Sequence, residues 1–482
     1  MTYAHTYSGT RTREPSPREL EHGRLARRAA AGGIVLLKNT GTLPLDLSAP
    51  VALFGSGASR TVKGGIGSGD VNNRANVSIC QGMKDAGLRL TSENWLEDYE
   101  ARYHAARAAW KQKVLEAARW VENPFDAYAA NPFVLPQGRP IVPQDVQGAA
   151  AAIYVLSRIA GEGKDRRLEK GDYYLSDGEW NDLRTLDRLG LPIVLLINAG
   201  GPVELTDLLD GAVHIEAVLQ LSQLGQEGGH AVADVLLGKA TPEGKLTATW
   251  ARRYTDYPCA ESFSYLDGDL EKAVYREGIY VGYRYFDSFG VQPLFPFGYG
   301  LSYTDFSLRF AGLRVGADAI EVDVEVENAG ICFSGREVAQ VYISCPQNGG
   351  AKELRRLAGF AKTRLLAPEQ RQTLTICIPQ KQLATFAAQK QGWVVEQGLY
   401  GVWVGNSSAA VTLCAQIRVD ADTVIEQTHP ICPLHQPLDE LGAADAAQKE
   451  AAHPAGLPVY GFCPRPEPRP ECCLLYTSDA AD

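Results

Sequence analysis

Ile193-Val194-Leu195-Leu196-Ile197 is the stretch whose reading decides the architecture of the first half of the chain. An unbroken apolar run of this length, rich in β-branched residues, has no polar face. A strand built from it must be covered on both sides. Working outward, Val51–Phe54, Ile153–Leu156 and Ile215–Leu219 repeat the pattern. Such runs are closed by Gly, Ser or Asn and followed by longer amphipathic segments. Helices are expected over Leu20–Lys38, Asp177–Leu189 and Glu227–Leu237. The alternation predicts an α/β sandwich domain, a mainly parallel sheet flanked by helices, over residues 20–300 behind a short lead of residues 1–19. Between the first two strands, an insertion at about 91–150 reads helical over Ser92–Val121 and Pro-rich and irregular over Asn123–Pro143.

The period changes after Phe297-Gly298-Tyr299-Gly300-Leu301-Ser302-Tyr303. Ala319-Ile320-Glu321-Val322-Asp323-Val324-Glu325-Val326-Glu327 alternates apolar with acidic at nearly every step, the mark of a half-buried strand. Further strands are expected at Glu337–Ser344, Leu374–Ile378, Gly392–Glu396, Gly398–Gly405 and Ala410–Ile417. Short strands spaced by Gly, Pro and Asn clusters predict an all-β fibronectin type III-like sandwich over 301–420. Residues 421–471 are rich in Pro, Ala and acidic residues and read as a linker or tail without a periodic segment. The last stretch, 472–482, is unlike anything before it and resembles translated adapter sequence.

Composition bounds the function. With 47 basic and 57 acidic residues the net charge is −10, which argues against nucleic acid as the main partner. No apolar run approaches the ~18 residues of a membrane span, and the first twenty residues carry no apolar core of a secretory signal. A cytoplasmic protein without a membrane partner is expected. The 10 cysteines show no Cys-x-x-Cys spacing, and the 8 histidines do not pair at metal-binding intervals. No metal and no cofactor is expected.

Chemistry concentrates in Ser157-Arg158-Ile159-Ala160-Gly161-Glu162-Gly163-Lys164-Asp165-Arg166, just beyond a parallel strand. Open α/β sheets place ligands at that edge. Flanking glycines let the backbone turn and project the Glu162 carboxylate clear of neighbouring side chains. Arg158, Lys164, Asp165 and Arg166 are candidates for holding the loop or a polyhydroxyl ligand. The plainer alternative is a surface loop whose Glu forms an ion pair. A second Gly-rich loop, Lys63-Gly64-Gly65-Ile66-Gly67-Ser68-Gly69-Asp70, leaves the same edge. It has neither a P-loop ending nor a G-x-S-x-G frame, so phosphate cradling and a Ser68 nucleophile are both poorly supported. Gly67, Ser68 and Asp70 are instead candidates for lining the same cleft as Glu162.

Taken together these residues resemble glycoside hydrolase family 3, of the β-glucosidase type. The matching pieces are Gly33-Ile34-Val35-Leu36-Leu37-Lys38-Asn39, Gly161-Glu162-Gly163-Lys164-Asp165-Arg166, Gly225-Gln226-Glu227-Gly228-Gly229 and Pro242-Glu243-Gly244-Lys245-Leu246. To these add Tyr275–Asp287 and Phe295–Tyr303. The resemblance implies a retaining double displacement by two carboxylates about 5–5.5 Å apart, acting on β-linked glucosides, xylosides or oligosaccharides. It maps the general acid/base onto Glu162. It also implies a nucleophilic Asp on a TIM barrel, for which this sequence shows no strand–helix repeats. That is the pattern of the circularly permuted subgroup cut short of its barrel, and implies a fragment inactive by itself. A non-catalytic carbohydrate-binding or interaction protein is the competing reading.

Overall fold

The computed structural model describes residues 12–66, 69–161, 165–263, 266, 268–269, 271–272, 274–348, 352–429, 438–442, 445–446 and 456–466. The chain divides into two compact units, Met1–Lys245 with Gly300–Tyr303, and Leu246–Tyr299 with Thr304–Asp482.

In the first unit, helix α1 (Pro17–Gly33) begins at Ser16, whose side chain accepts from the Glu19 amide while Glu19 reaches back to the Ser16 amide. Strands β1 (Val35–Asn39), β2 (Val51–Phe54), β3 (Ala151–Ser157), β4 (Ile193–Asn198) and β5 (Ile215–Gln220) form a sheet in the order β1-β5-β4-β3-β2. β2 to β5 are mutually parallel, and β1 joins β5 antiparallel at the edge. Every residue of β2, β3 and β4 is buried, as two-sided cover demands. The expected helix over Leu20–Lys38 therefore stops early: the Gly32-Gly33 pair ends α1, and the β-branched Ile34-Val35 turns the chain into β1.

Helices α2 (Ile79–Asp85), α5 (Asp177–Arg188) and α6 (Gly228–Leu236) pack around this sheet. α2 and α6 meet through bare backbone: a Cβ on Gly82 would lie 2.1 Å from the carbonyl carbon of Gly229, and a Cβ on Gly229 would lie 1.9 Å from the Ser78 carbonyl oxygen. Arg27 of α1 makes a bidentate pair with Asp234 of α6 at 2.6 and 2.7 Å. The region between β2 and β3 contains the long helix α3 (Glu93–Ala117) and, within the stretch expected to be irregular, the short α4 (Pro124–Ala130). Asn123 caps α4 by accepting from the Phe125 amide, and Pro124 fits the first turn.

The second unit opens with irregular chain and a short helix α7 (Tyr283–Phe289) before an all-β body. β6 (Phe306–Val315), β7 (Ala319–Asn328) and β10 (Arg371–Pro379) make one antiparallel sheet. β8 (Val338–Ser344), β9 (Arg356–Lys362), β13 (Gly398–Gly405) and β14 (Val411–Val419) lie in the other. Ile320, Val322, Val324 and Val326 of β7 are fully buried, while the acidic residues between them face outward. They share one core with Val341, Ile343, Val402 and Ile417 of the opposite sheet, as in a sandwich. The tail is not without strands: β15 (Thr423–Gln427) pairs with β12 (Gly392–Val395), whose other neighbour is β11 (Thr385–Ala387), and β16 (Val459–Gly461) pairs parallel with β14. Among the described residues no sheet closes into a barrel, and no helix is long and apolar enough to cross a membrane. Residues 472–482 lie outside the described residues.

Candidate active site

The parallel strands β2, β3 and β4 end at one edge, and three loops leave from there. Asn198 at the end of β4 is completely buried. Its Oδ1 accepts from the Val62 amide at 2.6 Å and from the Ser157 hydroxyl at 3.2 Å. Its Nδ2 donates to the carbonyls of Val62 and Ser222, both at 2.9 Å. One amide side chain thus ties the loop after β2 to the ends of β3, β4 and β5. Burying it is tolerable because each polar atom is paired.

That tie brings the two Gly-rich loops together. Ile66 forms a parallel bridge with Gly161, and a Cβ on Gly161 would lie 2.5 Å from the Ile66 amide nitrogen. A residue larger than Gly at 161 would push the strands of this bridge apart. Glu162 and Lys164, together with Gly67 and Ser68, lie outside the described residues, so the bridge marks the point from which each of these segments departs. Asp165 is exposed. Asp70 is exposed as well, with the Lys63 ammonium 3.1 Å from its carboxylate.

Arg158 has a structural task that its place in the motif did not reveal. It is buried, and its guanidinium forms a bidentate pair with Glu179 at 2.7 and 2.9 Å. Its Nε donates to the Asp172 carbonyl at 2.6 Å, Nη1 also reaches the Ser157 carbonyl at 2.9 Å, and Nη2 the Tyr174 carbonyl at 3.4 Å. Every N–H is used within the protein, leaving none for a ligand. Arg166 pairs with Asp172 and donates from Nη2 to the carbonyls of Asp172 at 3.0 Å and Pro202 at 3.3 Å. The two arginines therefore brace the return of the Glu162 loop. Glu179 also caps α5, accepting from the Ser176 amide at 2.7 Å. Reading the motif alone missed Asn198, Asp172 and Glu179. An Asn closing the apolar run of β4 was the one visible signal for the first; nothing local marks the other two.

Residues 34–303, more than half of the chain, match the Glycosyl hydrolase family 3 C-terminal domain, and residues 337–408 match a Fibronectin type III-like domain. The chain belongs to glycoside hydrolase family 3. A β-glucosidase of Ruminococcus albus is 34% identical over 410 residues, covering 82% of this chain and 40% of that protein. Beta-glucosidase A of Butyrivibrio fibrisolvens is 32% identical, covering 93% of this chain and 57% of that one. Among solved structures, β-glucosidase 3B of Thermotoga neapolitana, also determined in complex with glucose, superposes with a TM-score of 0.74 at 36% identity over 86% of this chain and 56% of that one. The chain spans about half the length of the relatives it matches.

Proposed function

We propose that this chain supplies the acid/base half of a retaining β-glucosidase, with Glu162 as the general acid and base. The reading adds that a nucleophilic carboxylate and most of the sugar-binding residues come from a barrel domain outside these 482 residues. The observation that supports it is the Ile66–Gly161 bridge, which sets Gly161, the residue before Glu162, beyond the end of the parallel strands of a family 3 sheet, where open α/β sheets hold ligands. In the first step Glu162 protonates the glycosidic oxygen as the aglycone leaves and the nucleophile takes the anomeric carbon. In the second it removes a proton from the water that releases glucose. Arg158 and Arg166 stiffen the loop but touch no sugar in this scheme. Asp165 and Asp70, and with them Lys164, Gly67 and Ser68, remain proposed lining groups. The substrates proposed are β-linked glucosides or xylosides, including short oligosaccharides.

The test is complementation. The purified chain is assayed on aryl β-glucosides alone, then after fusion to the part of the Ruminococcus albus β-glucosidase that it does not match. Fusion supplies the effective concentration that two separate halves lack. No turnover alone and glucosidase turnover from the fusion is the expected result. Robust turnover by the chain alone would overturn the division of labour, because the nucleophile would then lie within it.

A further inference from the structure

The later part of the region between β2 and β3, from α3 onward, builds a cleft in the first unit. Residues 132–138 run as an extended strap pinned near both ends by indole groups: Trp110 Nε1 donates to the Asn131 carbonyl at 2.6 Å, and Trp95 Nε1 to the Arg139 carbonyl at 2.9 Å. The strap is seated closely, since a Cβ on Gly138 would lie 2.1 Å from the Trp95 ring. Between strap, α5 and the ends of β2 and β3 is a cleft of about 390 Å³, within the ~300–1,000 Å³ of small-molecule sites.

Its lining has a definite chemistry. Charged groups of both signs occur, but each has a partner of opposite charge: Arg158 with Glu179, Arg167 with Glu169 at 2.7 Å, Lys170 with Asp177 at 2.7 Å, and Asp172 with Arg166. The exception is Asp182. Among the described residues no cation is in contact with it, and its carboxylate accepts only the Tyr154 hydroxyl, at 3.0 Å. Burial lifts the Asp182 carboxyl to about 6, and burial lifts the Tyr154 phenol as well. Phe133, Leu135 and Pro136 supply an apolar wall, and Ser56 a hydroxyl. A strongly charged ligand would meet a matched, mixed-sign lining and gain little. A neutral ring with an apolar face and several hydroxyl donors would fit both the wall and the free carboxylate oxygen.

We propose that this cleft is a binding site for a monosaccharide-sized neutral sugar, held through the Tyr154–Asp182 pair against the 132–138 strap. The sugar lies on the apolar wall and donates hydroxyl hydrogen bonds to Asp182. The proposal stands on the geometry of the cleft and does not depend on Glu162 being catalytic.

The test is calorimetric or ligand-observed NMR titration of the purified chain with glucose. Saturable binding is expected in the millimolar range, weakened about tenfold or more by Asp182→Asn, which removes a charged acceptor but keeps its shape. Val134→Trp provides a second variant that disturbs no buried group, since Val134 is 75% exposed on the strap. It is expected to reduce binding by narrowing the mouth. Glu162→Gln is expected to leave this binding unchanged. Absence of binding in the folded wild-type chain would overturn the proposal. So would wild-type affinity in both Asp182→Asn and Val134→Trp, or loss of binding in Glu162→Gln, which would place the sugar at the Glu162 loop instead.

Discussion

Arg158 and Glu179 show how a residue beside a functional motif can be committed elsewhere. Their side chains are only 4% and 13% exposed, and the pair is bidentate. Removing one partner leaves the other buried and uncompensated, which costs about 3–5 kcal/mol. Arg158→Ala should therefore lower the unfolding free energy of the first unit by that order, as read from urea unfolding curves. Glu179→Gln should cost less, because Gln still accepts the Ser176 amide in the capping box. Equal losses in both variants would contradict the assignment of Arg158 as a brace. The Gly161-Glu162-Gly163 motif stands out in the sequence by its glycines beyond a buried strand, but residue types alone left a surface loop with an ion-paired Glu open, and the family resemblance supplied the proposed role of Glu162. The role of Arg158 was not legible, because its partner is 21 residues away and becomes visible only when α5 packs beside β3.

At the scale of elements, the buried strands were the easiest to read. Runs such as Ile193–Ile197 have no polar face, and β7 alternates almost without a break, so each period admits one answer. β1 was read as the end of α1 because Val35-Leu36-Leu37-Lys38 satisfies both periods, and tertiary pairing with β5 decides between them. The tail strands β15 and β16 are too short to announce themselves and exist only by pairing with β12 and β14. The contact of α2 with α6 carries a testable electrostatic clamp. His230 Nδ1 is 2.7 Å from Glu227 and Nε2 is 2.9 Å from Asp85. Burial opposes the imidazolium, but the two carboxylates outweigh it and hold the His230 pKa above its ordinary value. A raised folded pKa means the clamp contributes fully below the ~6.5 of an unfolded imidazole and is lost as pH rises through the folded value. Stability of the first unit should fall across that window, and His230→Gln should remove this part of the dependence. An unchanged pH profile in the variant would rule the clamp out.

For the whole molecule, an α/β layer and a β-sandwich account for the two compact units, and both belong to a family whose matched relatives extend to about twice this length. The central claim is that Glu162 handles the proton in both half-reactions. A carboxyl in that role contributes roughly 10²–10⁴ in rate, and most where the leaving group is poor. The most direct measurement compares cellobiose with an aryl β-glucoside of good leaving group, using the fused enzyme and its Glu162→Gln variant. Cellobiose turnover should fall by that factor, departure of the activated aryl group should be spared, and azide should restore overall turnover by attacking the glycosyl intermediate without base help. Near-normal hydrolysis of cellobiose by Glu162→Gln would contradict the account.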